Sequence, residues 1–252
     1  MQRYFIDSSE IVDELILPSE IYHHAIRVMR MQEGSTFELV LRNQEIAVMQ
    51  ISKLTKETAS AKVINWLQQT VELPVPTTIA CAISKSDKAE WIVQKGTELG
   101  ASKFIFFNGE FSVARWDQKK VTKKIERLSK VALNAAQQAH RSKVPTIEYY
   151  QDITAIDFSN YSHKIVAYEE AAKKGEKNNL TKLMMSLQDS RLLATKSELI
   201  AIFGPEGGIS TKEVNYLGKQ NFIFVGLGPR IMRAETAPLY LLSILSFTLE
   251  LG

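Results

Sequence analysis

Two short apolar segments near the C-terminus, each followed at once by glycines, constrain the fold of this chain most strongly. Leu199–Phe203 precedes the letters GPEGG, and Phe222–Val225 precedes GLG. A continuous apolar run of strand length is typical of a strand covered on both faces. Glycine allows positive φ and close approach of the backbone to a ligand. Because open α/β sheets bind ligands beyond the carboxyl ends of their strands, the two turns predict one shared site.

A helix signal follows each glycine turn. Ser210 with Glu213 forms a capping-box pattern, although a plain strand-to-helix turn would also explain GPEGG. Thr236 is predicted to be the N-cap of a last helix over Ala237–Leu249. This helix is apolar nearly all round, which predicts burial inside the domain or against a second subunit.

Three charged residues stand between the second turn and that helix, namely Arg230, Arg233 and Glu235. A charge beside a buried segment costs free energy unless it is paired or used. Two interpretations therefore remain open for them, a structural arginine–glutamate pair and a role in handling a substrate.

Strands and helices alternate from Thr78 onward, which predicts a mostly parallel sheet with helices on both faces. Gly100 is expected at the C′ position after the first of these helices. The predicted strands are Thr78–Ile83, Phe104–Phe107, Ile147–Tyr149 and His163–Tyr168, and the predicted helices are Asp87–Leu99, Lys119–Ala139 and Leu180–Leu187.

Residues 1–70 have a different pattern and are predicted to form a separate small domain. Apolar residues alternate after Gly34, which is typical of several short, half-buried strands and suggests a small barrel. Before them, Ser19 is a candidate N-cap for a short helix whose apolar stripe is Ile21, Ala25 and Val28. The proline-containing stretch Gln68–Thr77 reads as the linker, so the second domain is expected over residues 77–252.

Composition excludes several classes of protein. The single cysteine, Cys81, cannot form an internal disulfide or a cysteine-rich zinc site, and we expect no metal and a reducing, cytoplasmic location. The N-terminus has no apolar signal core, and no apolar run reaches the roughly 18 residues that span a membrane. No P-loop motif is present, and no G-x-G-x-x-G follows an early strand, which argues against P-loop and Rossmann nucleotide sites.

Positive charge is concentrated in one stretch. The whole chain carries a formal charge of +3, whereas the segment from Arg115 to Lys143 holds nine Lys or Arg residues against two acids. Such a concentration is what binding to a phosphate backbone requires, although a solvated helix face has the same appearance. We therefore expect a nucleic-acid partner.

The C-terminal motifs FGPEGGIS and LGPRIMRAETAPLYLLSIL resemble the paired motifs of the SPOUT superfamily of RNA methyltransferases, and in particular the RsmE family. Supporting segments are MQRYFI, HHAIRVMRMQEG, KSDKAEWIVQKGTELGASKF and AAQQAHRSKVP, so the resemblance spans nearly the whole chain. One departure is that Gln137 and Gln138 stand where relatives often carry an acid before a glutamine.

The resemblance implies a PUA-like RNA-binding barrel over residues 1–70 and a C-terminal SPOUT domain whose glycine loops form a deep trefoil knot. It also implies a homodimer and methylation of N3 of a uridine in 16S ribosomal RNA of the small subunit, with S-adenosylmethionine as donor. The residues expected around the donor are Phe203, Gly204, Pro205, Glu206, Gly207, Gly208, Leu227, Gly228, Ile231 and Met232.

Uracil N3 must lose its proton before it can attack the methyl group. Arg233 is predicted to orient the uracil or stabilise its negative charge, and Glu235 to position that arginine or act as the base. The predicted RNA contacts are Arg3, Arg27, Arg30, Lys85, Arg115, Arg141 and Arg230. Two alternatives remain, a SPOUT enzyme acting on another RNA or on a ribose 2′-hydroxyl, and an RNA-binding assembly factor without catalysis.

Overall fold

The computed structural model describes residues 1–11, 14–68, 71–85, 88–170, 178–192 and 197–251. The chain divides into two compact units, one made of residues 1–71 with 136–143 and one made of 72–135 with 144–252. Residues 136–143, which the sequence suggests for the second domain, therefore cluster with the first unit. No helix among the described residues is both long and apolar enough to cross a membrane.

The first unit contains a five-stranded sheet in the order β1-β3-β4-β5-β2. Strand β1 pairs parallel to β3, and the other neighbours are antiparallel. A short helix, α1 (Ser19–Tyr22), continues as a π-helical turn, His23–Val28. The strands are β1 (Arg3–Phe5), β2 (Glu14–Ile16), β3 (Thr36–Val40), β4 (Ile46–Leu54) and β5 (Ala59–Leu67).

Two sequence-based expectations for α1 were wrong. Pro18, not Ser19, occupies the N-cap position, and no side chain caps the helix. Val28 does not join the buried stripe of Ile21 and Ala25, because its side chain is 55% exposed. The reason is the π-helical turn, whose wider spacing moves Val28 off the face that an α-helix would bury.

Strand β3 is buried on both faces, whereas its alternating pattern predicted a half-buried strand. Phe37 and Leu39 belong to the apolar core of the unit, and Glu38, between them, is only 8% exposed on the other face. Glu38 Oε2 accepts a hydrogen bond of 2.7 Å from Arg3 Nε and lies 2.9 Å from His140 Nδ1. A segment remote in sequence therefore covers the face that local alternation predicted to be solvated.

The second unit contains a six-stranded sheet in the order β11-β9-β10-β6-β7-β8. All of its neighbouring strands are parallel, as the alternation of strands and helices predicted. The strands are β6 (Thr77–Ala82), β7 (Lys103–Phe107), β8 (Thr146–Tyr150), β9 (His163–Ala167), β10 (Leu199–Phe203) and β11 (Ile223–Val225).

Helices cover both faces of this sheet. One core joins alternate strand residues to helices α2 (Lys88–Glu98), α3 (Gln118–Gln138), α4 (Asn179–Leu192) and α6 (Thr236–Ser246). The opposite core joins the other strand residues to helix α5 (Thr211–Lys219) and the 3₁₀ turn Ile153–Ala155. The predicted first residue of α2, Asp87, lies outside the described residues. Gly100 follows α2 with φ +96°, as its predicted C′ position requires.

The last helix is buried along one face. Leu241, Leu242 and Leu245 are fully buried, whereas Phe247, in the π-helical turn Phe247–Leu251 that continues α6, is 67% exposed. The N-cap of α6 is Glu235, so the prediction of Thr236 was wrong, and no side chain caps this helix. The carbonyl of Arg233 instead accepts hydrogen bonds from the backbone N–H groups of Thr236 and Ala237.

Candidate active site

The parallel sheet brings the two glycine turns to the same edge. In the register of the sheet Phe203, the last residue of β10, lies beside Cys81 of β6 and Ala167 of β9, and Ala167 lies beside Val225 of β11. The chain therefore leaves β10 and β11 toward the same side, with only β9 between them. This edge is where open α/β sheets bind ligands.

The GPEGG turn needs its glycines for steric reasons. A Cβ on Gly204 would lie 2.8 Å from Ile209 Cγ1 and 3.0 Å from the carbonyl carbon of Gly208. Gly208 has φ +76°, a conformation that side chains disfavour. The turn is therefore a tight backbone structure, and its exposed glycines, Gly207 and Gly208, present main-chain groups rather than side-chain bulk.

The capping box predicted for α5 is present. Ser210 Oγ accepts from the backbone N–H of Glu213, and Glu213 Oε2 accepts from the backbone N–H of Ser210. Glu213 Oε1 also accepts from the backbone N–H of Glu110, and Ser210 Oγ donates to Glu110 Oε2 at 2.6 Å. The loop that follows β7 is thereby joined to the start of α5.

The second glycine turn is more exposed than the first. Gly228 has φ +93°, and Leu227 packs partly against the apolar core. Ile231 is 75% exposed, which is unusual for so large an apolar side chain. Arg230 and Arg233 are exposed beside it. The turn therefore offers an apolar surface next to two cations.

Lys88, near the start of α2, connects the two turns. Its Nζ donates to Glu206 Oε1 of the first turn at 2.7 Å. The same Nζ lies 3.1 Å from Glu235 Oε2, beyond the second turn, at ion-pair distance. That oxygen is buried and has no aligned hydrogen bond. The hydrogen bond that Lys88 donates to Glu206 raises the pKa of Lys88, burial opposes this, and the contact with Glu235 raises the pKa further, so this residue is a cation at neutral pH.

The environment of Glu235 argues against its use as a base. Burial by itself would raise the pKa of this carboxyl, but its own backbone N–H, the contact with Lys88 and the charge of Arg233 together lower it. The pKa of Glu206 is lowered as well, because the hydrogen bond from Lys88 outweighs burial. A carboxylate with a lowered pKa is a weak proton acceptor, so Glu235 fits a positioning role better.

Comparisons with known proteins agree over the whole chain. A family model described as an RNA methyltransferase domain matches residues 71–246, and one described as an RNA methyltransferase PUA domain matches residues 17–64. Ribosomal RNA small subunit methyltransferase E of Bacillus subtilis (strain 168) is 39% identical over 257 residues, which cover 100% of this chain and 98% of that protein.

The chain belongs to the RsmE family of RNA methyltransferases.

Solved structures share the family fold. A crystal structure of a hypothetical protein covers 99% of both chains with 38% identity and a TM-score of 0.87. The ribosomal RNA small subunit methyltransferase E of Neisseria gonorrhoeae, bound to S-adenosyl methionine, covers 98% of this chain and 97% of its own with 23% identity and a TM-score of 0.79. The fold is therefore α/β, with a small PUA-like β domain at the N-terminus, as in other RsmE proteins.

Most of the predicted donor-site residues are near the sheet edge, but two are buried. Phe203 is 2% exposed, its side chain lies in the core, and its backbone pairs with strands on both sides. Pro205 is also buried. In this member of the RsmE family only the backbone of these two residues could face a ligand. The remaining eight residues of that set are half-buried or exposed.

The predicted RNA contacts fall into two groups. Arg3 and Arg141 are 3% and 2% exposed, and the guanidinium of Arg3 donates to Glu38 and to the backbone carbonyls of His140 and Arg141. Side chains so enclosed cannot reach a phosphate, so the sequence-based expectation for these two is not supported. The residues that are exposed are Arg27, Arg30, Lys85, Arg115 and Arg230.

Sequence reasoning missed Lys88 as a site residue. The signal that could have found it is its place shortly after the carboxyl end of β6, the strand beside β10. The loop after β7 also follows the carboxyl end of a strand in this sheet, and sequence reasoning missed it as well. Gly109 in that loop lies against the first glycine turn, since a Cβ there would be 3.5 Å from Pro205 Cδ.

Proposed function

We propose that this chain transfers a methyl group from S-adenosylmethionine to N3 of a uridine in 16S ribosomal RNA of the small subunit. The observation that carries the proposal is the meeting of two glycine turns at one sheet edge, held together by Lys88, in a member of the RsmE family. The related Bacillus protein is named for small-subunit ribosomal RNA, and the Neisseria structure contains the same donor.

The residues of the two turns fit this donor. S-adenosylmethionine carries a methyl group on a cationic sulfur and has no phosphates, so it needs backbone groups and an apolar wall rather than a basic loop. Gly204, Gly207 and Gly208 supply backbone without side-chain obstruction, and the half-buried Leu227 and Met232 with the exposed Ile231 supply the wall.

Arg233 is the residue we assign to the developing negative charge on the uracil. Its side chain is exposed at the mouth of the site, and its charge acts on Glu235. Glu235 holds Lys88 and the start of α6 in place and does not act as the base. The N3 edge of uracil is its pairing edge, so the target nucleotide must be unpaired or flipped out to reach these groups.

The domain assignment follows from the same reasoning. We assign residues 1–70 to the PUA-like RNA-binding domain and residues 77–252 to the SPOUT methyltransferase domain, with residues 136–143 of that range packed into the first unit. The protein acts in the cytoplasm, where ribosomal subunits are made. The trefoil knot implied by the resemblance remains a prediction.

The test is methylation of small subunits and of deproteinised RNA, in parallel, from a strain that lacks this enzyme. Mass spectrometry of digested RNA should find N3-methyluridine with the wild-type protein. A methylated base at another atom, or a 2′-O-methyl nucleoside, would favour the other SPOUT chemistries. Absence of any product together with absence of donor binding in calorimetry would favour an assembly factor.

Variants assign the roles within the site. With saturating donor, Arg233→Ala should lower the single-turnover rate by about 10²-fold, because a preorganised cation is lost. Glu235→Gln should lower it less, since the amide keeps the shape but weakens the hold on Lys88. Arg230→Ala, on the same exposed turn, serves as the control and should mainly raise the KM for RNA. Near-wild-type rates for both Arg233→Ala and Glu235→Gln would remove these residues from the chemistry.

A further inference from the structure

A cavity lies beside the site and is lined by Lys88 and by residues of α3. Its volume is about 100 Å³, several times the roughly 10–15 Å³ that one water molecule requires. Its wall is about half polar and half apolar or aromatic. The lining includes Lys88, Ala89, Glu90, Trp116, Lys124 and Arg127.

Trp116 gives the cavity a rigid flat wall. Its ring stacks on Tyr149 with the centroids 5.6 Å apart and an interplanar angle of 22°, and Phe106 packs against it at 5.3 Å. Asn108 fixes both partners, because its Oδ1 accepts from the backbone N–H of Trp116 at 3.4 Å and its Nδ2 donates to the Tyr149 hydroxyl at 2.8 Å. The Trp116 ring is therefore held in one orientation in the wall of the cavity.

The charged residues that line the cavity are mostly cations. They are Lys88, Lys124 and Arg127, against the single carboxylate of Glu90. Arg127 is paired with Glu90 through two contacts of 2.7 and 2.9 Å, and Lys88 is paired with Glu206 and Glu235.

Lys124 is the lining cation that has no such pairing. It makes no ion pair with any residue that the structure describes, and its Nζ lies 5.3 Å from the centroid of the Trp116 ring. Two other lysines precede it on the same helix, Lys120 by about one turn and Lys123 by one residue. The lining therefore combines a flat wall with a cation that is available to an anion.

We propose that this cavity receives the target uracil and that Lys124 stabilises the base after its N3 proton has been lost. The inference rests on the proposed function and names a further catalytic residue for it. Lys88 borders both the cavity and the two glycine turns, so a base lying here is next to the donor site. The N3 proton passes to solvent water. The N3–methyl bond then forms as the sulfur–methyl bond breaks, and the electron pair of that bond remains on sulfur.

The decisive measurement is the pH dependence of the single-turnover rate with saturating subunits and donor. A positive charge near an acid that ionises to an anion lowers its pKa. Lys124→Gln should therefore move the midpoint of the rising limb upward by about one pH unit, consistent with a charge at 4–6 Å. Lys124→Arg should restore the midpoint.

Lys123→Gln is the matched control, since it removes the same charge from the same exposed helix one residue away. It should weaken RNA binding through lost attraction to phosphates and leave the midpoint where it is in the wild type. Equal midpoints for Lys124→Gln, Lys123→Gln and the wild type would overturn the proposal. If the wild-type protein makes no N3-methyluridine at all, the proposed function itself has failed, which is a different result.

Filling the cavity gives an independent test. Ala89 lies on α2 in the lining and is half-buried, so Ala89→Leu places extra volume there without touching either glycine turn. The single-turnover rate should fall by at least about tenfold, because small misplacements of a reacting group have large effects. The affinity for S-adenosylmethionine and the melting temperature should stay near the wild-type values. A wild-type rate in this folded variant would exclude the cavity as the site of the base.

Discussion

The arginine side chains of this protein have different roles according to whether they are buried or exposed. Arg3 and Arg141 are enclosed in the first unit, whereas Arg230 and Arg233 are exposed beside the glycine turns. A buried guanidinium must be fully hydrogen-bonded to be tolerated. Arg3 Nε donates to Glu38, and its Nη1 donates to two backbone carbonyls of the segment 136–143. It therefore contributes to the structure of the first unit.

Arg3→Leu should destabilise the first unit by about 3–5 kcal/mol at pH 7, because it leaves the buried carboxylate of Glu38 without its main partner. Burial would raise the pKa of Glu38, but Arg3 and then His140 lower it below its ordinary value of 4.5. The stabilisation is therefore complete above pH 4.5 and is lost as the pH falls through the lower, folded-state pKa. Urea unfolding at several pH values should show the difference from wild type shrinking in that acidic range.

The control for this prediction is Arg42→Leu. Arg42 pairs with Asp7 at 2.6 Å, but the two side chains are 65% and 84% exposed, and exposed pairs contribute little. A similar loss of stability in both variants would show that burial is not the cause.

At the scale of elements, the first turn of helix α5 is capped by a local motif, and the same motif makes a hydrogen bond to a loop that is distant in sequence. Ser210 caps the helix and at the same time donates to Glu110, which lies 100 residues earlier. The cap thus orients the loop after β7 against the first glycine turn. A short polar motif in the sequence consequently determines part of the geometry of the site.

Ser210→Ala should lower the free energy of unfolding by about 1–2 kcal/mol, since the N-cap hydrogen bond is lost. Gly218→Ala in the same helix should raise it by about 0.5–1 kcal/mol, because glycine disfavours a helix interior. A Cβ at Gly218 would meet no atom within 4 Å. Urea unfolding followed by circular dichroism measures both changes, and an unaltered stability of Ser210→Ala would contradict the importance of the cap.

For the whole molecule, we propose a homodimer that forms through exposed apolar side chains near the end of the last helix. Phe247 and Leu251, in the turn that continues α6, are 67% and 78% exposed, and Met185 on α4 is 59% exposed. Elements α4 and α6 pack into the same core, so these side chains belong to one region of the second unit. Exposed apolar patches of this kind are typical of interfaces.

Light scattering should give twice the chain mass of 28.5 kDa for the wild type. Phe247→Asp should shift the protein toward the monomer, because a charge is placed in the apolar contact. Ile64→Asp is the control, since Ile64 is also exposed, at 48%, but lies on β5 of the first unit. A wild-type mass of 28.5 kDa at every concentration would refute the dimer.

Much of the fold could be predicted from the sequence because its signals are local. Strand-length apolar runs, the capping box of Ser210 and the glycine after α2 each depend on neighbours within a few residues. The prediction failed where the backbone departed from an ideal period, as in the π-helical turn that exposes Val28. It also failed for the N-cap of α6. The backbone carbonyl of Arg233, and not the side chain of Thr236, accepts hydrogen bonds from the first N–H groups of that helix.

The sequence by itself determined the strand–helix order of this protein, its two glycine turns and its family, because those depend on residue types at short spacing. The tertiary structure alone decided that Lys88 joins Glu206 and Glu235, which lie 118 and 147 residues away from it. It alone decided that Arg3 is buried and that a cavity beside Lys88 is lined by Trp116 and Lys124. Charge pairing and burial depend on distances between remote segments, and those distances exist only once the sheets have formed.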